Sequence, residues 1–170
     1  MNVLAWCRGL GGVLRGLREE QLALHPADQF ARWFAAAKKA GMYQANAFAL
    51  ATATPDGRPA SRMLLLKGFD RSGFVFYTNY ESRKGEELAA NPRGAMLFFW
   101  SELHRQVRIE GALERTSLAE SNAYFHSRPR GSQIGAWASH QSRQLTSRQE
   151  LVDQDRQFEQ KFAGQEVPLP

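Results

Sequence analysis

The sequence holds a single cysteine, Cys7, among its 170 residues. One thiol forms no intrachain disulfide and no multi-cysteine zinc site. Long hydrophobic runs are missing as well: residues 95–100 (AMLFFW) fall far short of the roughly 18 apolar positions a membrane-spanning helix needs. No repeat or low-complexity tract occurs. H-x-x-x-H, G-x-S-x-G and Walker A patterns are absent, which removes the common metallohydrolase, serine-hydrolase and NTPase readings. The four histidines, His25, His104, His126 and His140, lack paired ligand spacing, so no metal is expected. Acidic residues are missing from positions 1–18, where Arg8, Arg15 and Arg18 stand. Such a start is transit-like, although it also lacks serine. Gly9, Gly11, Gly12 and Gly16 follow no strand and do not have dinucleotide-fingerprint spacing.

What remains is ordinary globular composition, 43% hydrophobic and 23% charged, enough for one domain with a real core. Residues 1–25 are expected to be a poorly ordered or targeting-like segment and 26–170 the domain. A cytoplasmic location is expected, with a mitochondrial one as the alternative. The one excess is positive charge, a net +5. Lys and Arg come in ones and twos at the ends of expected elements, which suits discrete phosphate groups better than a polyanion. A nucleic-acid or general anion-binding module rests on net charge alone and would show steep salt dependence. For any single cation, solvated surface is the competing reading.

Pro26 at a first helical turn, with Phe30, Trp33, Phe34 and Ala37 at i, i+3, i+4, i+7, predicts a helix stopped by Gly41. Its aromatics read as core. Strands are expected over 47–54, 59–69, 74–78, 94–100 and 106–114, joined by turns such as Pro55-Asp56-Gly57 and Asp70-Arg71-Ser72-Gly73 into an antiparallel meander. In the last strand Val107, Ile109 and Leu113 alternate with Arg108, Glu110 and Glu114. A short helix is expected over 82–91. Ser117 with Glu120 and Ser147 with Glu150 read as capping boxes opening helices over 118–127 and 148–162. Residues 128–146 read as loop-rich. Together these give an α+β fold, a small and partly closed antiparallel barrel with flanking helices.

Polar chemistry stands out where it is embedded in apolar strand. In 61–67 (SRMLLLK) a cation sits at each end of an apolar run. On a regular strand Arg62 and Lys67 point to opposite faces unless a bulge brings both round, and burying either needs an anion. Tyr77-Thr78 closes one strand and Ser82-Arg83-Lys84 opens a helix, a set of hydroxyls, cations and helix N-terminal donors suited to a phosphate. A solvated helix start explains Arg83 and Lys84 nearly as well. The stretch 124–137 (YFHSRPRGSQIGAW) ends a helix in basic residues, and Ser132 there can cap the next one. It reads equally as a second anion site or as an ordinary helix corner.

Residues 62–69 (RMLLLKGF), 76–84 (FYTNYESRK), 105–111 (RQVRIEG), 124–137, 139–142 (SHQS) and 165–168 (QEVP), in this order, resemble the pyridoxine/pyridoxamine 5′-phosphate oxidase family. The resemblance runs from about residue 26 to 170. It implies a homodimeric FMN-binding split β-barrel with the flavin at the subunit interface. By motif match the flavin contacts would be Arg62, Met63, Leu64, Leu65, Lys67, Tyr77, Thr78, Arg83, Lys84, Gln106, Gln141 and Ser142. Lys67, Tyr124, Arg128 and Ser132 would hold the substrate phosphate. Two phosphates of roughly −1.5 to −2 charge each would give the basic residues a use. The implied reaction is oxidation at the 4′ carbon of pyridoxine or pyridoxamine 5′-phosphate to pyridoxal 5′-phosphate, with oxygen reduced to hydrogen peroxide. In such a reaction the protein orients and the flavin carries the redox chemistry.

The sequence departs from the family at both ends. The family's Trp-Gly-Gly segment, further strands and Arg-Leu-His element do not follow Pro170, and residues 1–18 do not match the basic, tyrosine-containing segment of some members. The expectation is therefore a barrel with its C-terminal strands missing and unpaired edges. Its catalytic residues are unassigned, because the Arg-Leu-His element is not in the chain. The alternative to an oxidase is a non-catalytic truncated form that binds only FMN or pyridoxal 5′-phosphate.

Overall fold

The computed structural model describes residues 17–170. Cys7, the glycine-rich start and its first two arginines lie outside them. Of the expected N-terminal segment, the described part holds a single 3-10 turn, Glu19–Gln21. The chain divides into two compact units, each built from two separate stretches. One comprises the residues up to Phe76 with Arg93–Ala112; the other comprises Tyr77–Pro92 with Leu113–Pro170.

The first unit begins with helix α1, Pro26–Lys39. Proline occupies its first turn and the His25 ring accepts from the Ala27 N–H at 3.2 Å. Past its last turn Gly41 adopts φ +73°, the left-handed stop that a residue without Cβ takes at no steric cost. Phe30 is buried, and its ring lies 4.8, 4.9 and 5.0 Å from Phe69, Phe74 and Phe98. The aromatic face of α1 is therefore core.

Strands β1 (Ala47–Ala53), β2 (Pro59–Leu65), β5 (Arg93–Trp100) and β6 (Arg105–Ala112) form one antiparallel sheet in the order β2-β1-β5-β6. Gly68–Phe69 (β3) and Phe74–Val75 (β4) make a separate two-stranded ladder. This corrects the expected meander, because β5 pairs with β1 rather than with the strand before it. The reason is legible in composition. β1 reads AFALATA, apolar on both faces, and tolerates a central place. β2 opens on Pro59 and carries Ser61 and Arg62, which suits an edge.

The expected strand over 59–69 is also broken. Leu66 N–H donates to Asn46 O at 2.9 Å and Lys67 N–H to Val75 O at 2.8 Å, which bends the chain out of β2. The strand expected over 74–78 stops at Val75. In β6, Val107 and Ile109 are half-buried between exposed Arg108 and Glu110, as the alternation predicts, but the strand ends at Ala112 and leaves Leu113 outside.

The second unit holds α2 (Arg83–Ala90), α3 (Leu118–His126), α4 (Arg130–Ala138) and α5 (Arg148–Lys161). The Ser117–Glu120 capping box closes in both directions. At α5 only half of the expected box forms. Ser147 Oγ accepts from Glu150 N–H, while the Glu150 carboxylate takes the Thr146 N–H at 2.9 Å and its hydroxyl at 2.7 Å. Helix α4 lies in the stretch read as loop-rich, a further correction. It is opened by Pro129 with no side-chain cap, so Ser132 stands inside its first turn rather than capping it. Phe125, Ile134, Phe162 and Val167 form the core of this unit. The segment after α5 is tied down by Trp137 Nε1 donating to Pro168 O at 2.8 Å and by Arg130 donating to Phe162 O and Gln165 O at 2.7 and 2.9 Å.

Candidate functional site

In the second unit, residues 79–87 build a compact polar corner. Ser82 is fully buried and caps α2. Its hydroxyl donates to Asn79 O at 2.6 Å and accepts from Gly85 N–H at 3.4 Å. Gly85 is required here. A Cβ on it would stand 2.2 Å from the Tyr80 carbonyl oxygen and 2.6 Å from its carbon. That close approach folds residues 80–82 tightly against the first turn of α2.

Lys84 is 5% exposed, an unusual place for an ammonium. Its Nζ donates to Ser82 Oγ at 2.9 Å and to Gln141 Oε1 at 2.6 Å. A buried cation bonded to a hydroxyl and an amide beside a helix N-terminus is a donor set of the kind that could hold an anion. Arg83 adjoins it, with Nε donating to the buried Glu87 carboxylate at 2.8 Å. Gln141 and Ser142 lie on the loop after α4, and Ser142 adopts φ +71°. Of the expected flavin contacts, Lys84 and Gln141 are thus brought into direct contact across 57 residues of sequence, with Arg83 and Ser142 next to them in the chain.

Tyr77 and Tyr124, expected at the flavin and at the substrate phosphate respectively, stack face to face, with centroids 3.9 Å apart and planes within 6°. Burial pushes the Tyr77 phenol above its ordinary value, with Glu120, Tyr124 and Tyr80 adding to the rise. Its ring therefore stays neutral at physiological pH and can donate or accept through the hydroxyl. Thr78 follows Tyr77 and is half-buried. Beyond α3, Arg128 is half-buried with its guanidinium 6.0 Å from the Phe125 ring. Gln133 donates to Arg128 O at 2.8 Å and fixes the corner that carries it. Ser132 is exposed two residues into α4.

The first unit carries the other expected contacts. Register places Arg62 and Leu64 opposite Leu50 and Phe48 on the core face of the sheet, and Met63 and Leu65 opposite Ala49 and Ala47 on the other. Gln106 pairs with Phe99 on that second face. Side chains on both faces do not reach one ligand. The four consecutive contacts expected on β2 would therefore have to involve the backbone of this edge strand, where outer N–H and C=O groups face away from β1. Arg62 donates to Thr52 Oγ1 and, at 3.4 Å, to Leu50 O. Lys67 is exposed in the bend after β2, on a groove of about 600 Å³ that it shares with Phe34, Lys38, Asn46 and Phe69.

Among the described residues no group of three His, Cys, Asp or Glu side chains could hold a metal, and no helix is long and apolar enough to cross a membrane. Sequence reasoning missed Gly85, Glu87 and Asn79. A glycine in the first helical turn and an acid just beyond it were the only signals, and neither is specific.

The family model for pyridoxamine 5′-phosphate oxidase matches residues 34–161. A pyridoxine/pyridoxamine 5′-phosphate oxidase of Rubrobacter xylanophilus is 56% identical over 168 residues, covering 96% of this chain and 77% of the relative. One of Bordetella pertussis is 54% identical over 154 residues, covering 91% and 72%. Among solved structures, PhzG from Burkholderia lata, in complex with tetrahydrophenazine-1-carboxylic acid, superposes with a TM-score of 0.84 at 30% identity, covering 91% of this chain and 77% of that one. A pyridoxamine 5′-phosphate oxidase-related FMN-binding protein of Nostoc punctiforme shares the fold, with a TM-score of 0.62 at 18% identity over 77% of this chain and 73% of its own.

Proposed function

The chain belongs to the pyridoxamine 5′-phosphate oxidase family, and from that premise we propose that it binds FMN and oxidises pyridoxine and pyridoxamine 5′-phosphate to pyridoxal 5′-phosphate, with oxygen reduced to hydrogen peroxide. The observation that carries this reading is Lys84. A buried ammonium at a helix N-terminus, beside Arg83 and bonded to a hydroxyl and an amide, fits a phosphate dianion. Arg83, Lys84, Gln141 and Ser142 would hold the flavin phosphate, and Tyr77 and Thr78, in the same unit, would be further flavin contacts. Arg62, Met63, Leu64, Leu65, Lys67 and Gln106 would be further flavin contacts, largely through the β2 backbone.

When bound, FMN supplies the redox chemistry, taking a hydride equivalent from the 4′ carbon and passing electrons to oxygen. The protein's part is placement. Tyr124, Arg128, Ser132 and Lys67 would grip the substrate phosphate, and a fixed phosphate sets where the 4′ carbon lies. The Tyr124 hydroxyl donates to a phosphate oxygen without adding charge, and Arg128 supplies a bidentate fork. No proton transfer is required of any of them.

The chain would act as a homodimer. On one face of the sheet in the first unit, strands β2, β1 and β5 carry an open apolar patch beside polar β6: Met63 and Phe99 are 64% and 65% exposed and border, with Leu97, a hollow of about 320 Å³. A second copy of the chain covering this face would remove that surface from water.

Titrating the purified chain with FMN and following flavin fluorescence tests the reading, with turnover on both substrates and on phosphate-free pyridoxine as control. Saturable quenching at low micromolar flavin or below, with pyridoxal 5′-phosphate formed only from the phosphorylated substrates, is the expected result. No quenching sinks the cofactor assignment. Quenching without product leaves a binding-only protein.

A further inference from the structure

Residues 139–146 connect α4 to α5 and carry Gln141 and Ser142. This loop is fixed to the first turn of α2 at two points. Gln141 Oε1 accepts from Lys84 Nζ at 2.6 Å, and Arg143 Nη2 donates to Glu86 Oε1 at 2.9 Å. The spacing matches on both sides: the loop residues are two apart, and so are their partners on α2. Between the two points Ser142 adopts φ +71°, a left-handed conformation that costs a residue with a Cβ free energy unless its surroundings impose it. The internal turn bonds of the loop, Gln141 N–H to Ser139 O and Arg143 N–H to His140 O, both 3.0 Å, close the bend without reaching α2.

We propose that Glu86 and Arg143 are a positioning pair: their contact clasps the 139–146 loop to α2 and holds Gln141 and Ser142 where the cofactor phosphate needs them. This rests on the flavin reading above. The two points of the clasp are not equivalent. The inner one uses Lys84 and Gln141, which would themselves face the phosphate, so a bound anion competes for the ammonium that holds the loop. The outer one joins two exposed side chains, 64% and 58% accessible, that are not among the expected flavin contacts. It keeps the loop in register while the inner contact is shared with ligand. Ion pairs this exposed are individually weak, which suits a clasp that must release cofactor as well as retain it.

Charge reversal tests the pair on the full chain: Glu86→Arg, Arg143→Glu, and the double swap. Two readouts are needed. Hydrogen–deuterium exchange of residues 139–146, measured without flavin, should quicken about threefold or more in each single variant and return to the wild-type rate in the swap. The FMN dissociation constant should rise about threefold to fivefold in both single variants and recover in the swap. A field effect on the phosphate alone would move the two single variants in opposite directions, since one adds positive charge and the other negative. Opposite shifts, or unchanged exchange in the single variants, overturn the clasp. If the loop's exchange responds as expected while the wild-type chain fails to bind FMN, the flavin reading falls and the clasp stands as a loop-ordering device.

Discussion

Replacing Gly85 by alanine reverses the usual sign of a helix substitution. In an open helical position glycine to alanine stabilises by up to about 1 kcal/mol. At Gly85 the new Cβ would meet Tyr80 backbone atoms at 2.2, 2.6 and 2.8 Å. An ordinary contact starts near 3.4 Å, so the 80–82 turn has to retreat by more than 1 Å. Overpacking of this kind costs about 1–3 kcal/mol. The retreat also pulls Ser82 from its capping position, worth about 1 kcal/mol more. Against the propensity gain, the net is a loss of about 1–3 kcal/mol, or a fall in Tm of roughly 2–12 °C for a chain of this size. Thermal unfolding followed by circular dichroism measures it, with Gly135→Ala as the matched control. Gly135 lies inside α4 with nothing within 4 Å of the place a methyl would take, so alanine there should raise Tm by roughly 2–4 °C. If Gly85→Ala is as stable as wild type, or if the two variants shift alike, the close approach of Tyr80 does not shape this corner.

Lys84→Met keeps the length of the buried side chain and removes its charge. Losing charge-assisted bonds worth about 1.5–3 kcal/mol should weaken FMN binding at least about tenfold with the far-ultraviolet spectrum unchanged, and unaltered quenching would refute the anion-receptor role. Arg128→Ala should raise KM for the phosphorylated substrate while FMN affinity stays within about twofold of wild type; unchanged KM would show the second anion site misplaced. Hydrogen bonds from Ser117 hold the Glu120 carboxyl below its ordinary 4.5, and bonds from Thr146 do the same for Glu150. With folded values depressed, their contribution is fully present above the ordinary value and disappears as pH falls below it toward the folded values. The Glu120→Gln/Glu150→Gln variant should therefore show a flatter decline of Tm between about pH 5 and 3 than wild type, and parallel curves would refute the linkage.

Much of the fold was legible because it follows local periodicity. Phe30, Trp33, Phe34 and Ala37 repeat at helical spacing, and the Ser117–Glu120 box needs only its own four residues. The errors fall where tertiary bonds decide. Lys67 leaves β2 because Asn46 and Val75 capture the backbone around it, 20 and 8 residues away in sequence. Gly131, Ser132 and Gly135 make α4 a poor helix by propensity; burial of Gln133, Ile134 and Ala138 sustains it instead. At the candidate site the sequence showed the residue types but not their company. Arg83 and Lys84 looked alike as neighbours in a basic dipeptide. One turned out exposed and paired with Glu87, the other buried and bound to Gln141. No periodic signal links positions 57 residues apart.

Each compact unit is interrupted by part of the other in sequence, and this governs how the chain can be taken apart or put together. Residues 77–92 leave the ribosome before 93–112, yet their partners, 113–170, come last. Lys84 thus waits through more than fifty residues of synthesis for Gln141, and the 93–112 hairpin must fold back onto chain made before α2. Neither unit corresponds to a contiguous piece of gene, so no simple truncation isolates one. The Lys84–Gln141 contact is consequently made late, dependent on long-range closure rather than on helix formation.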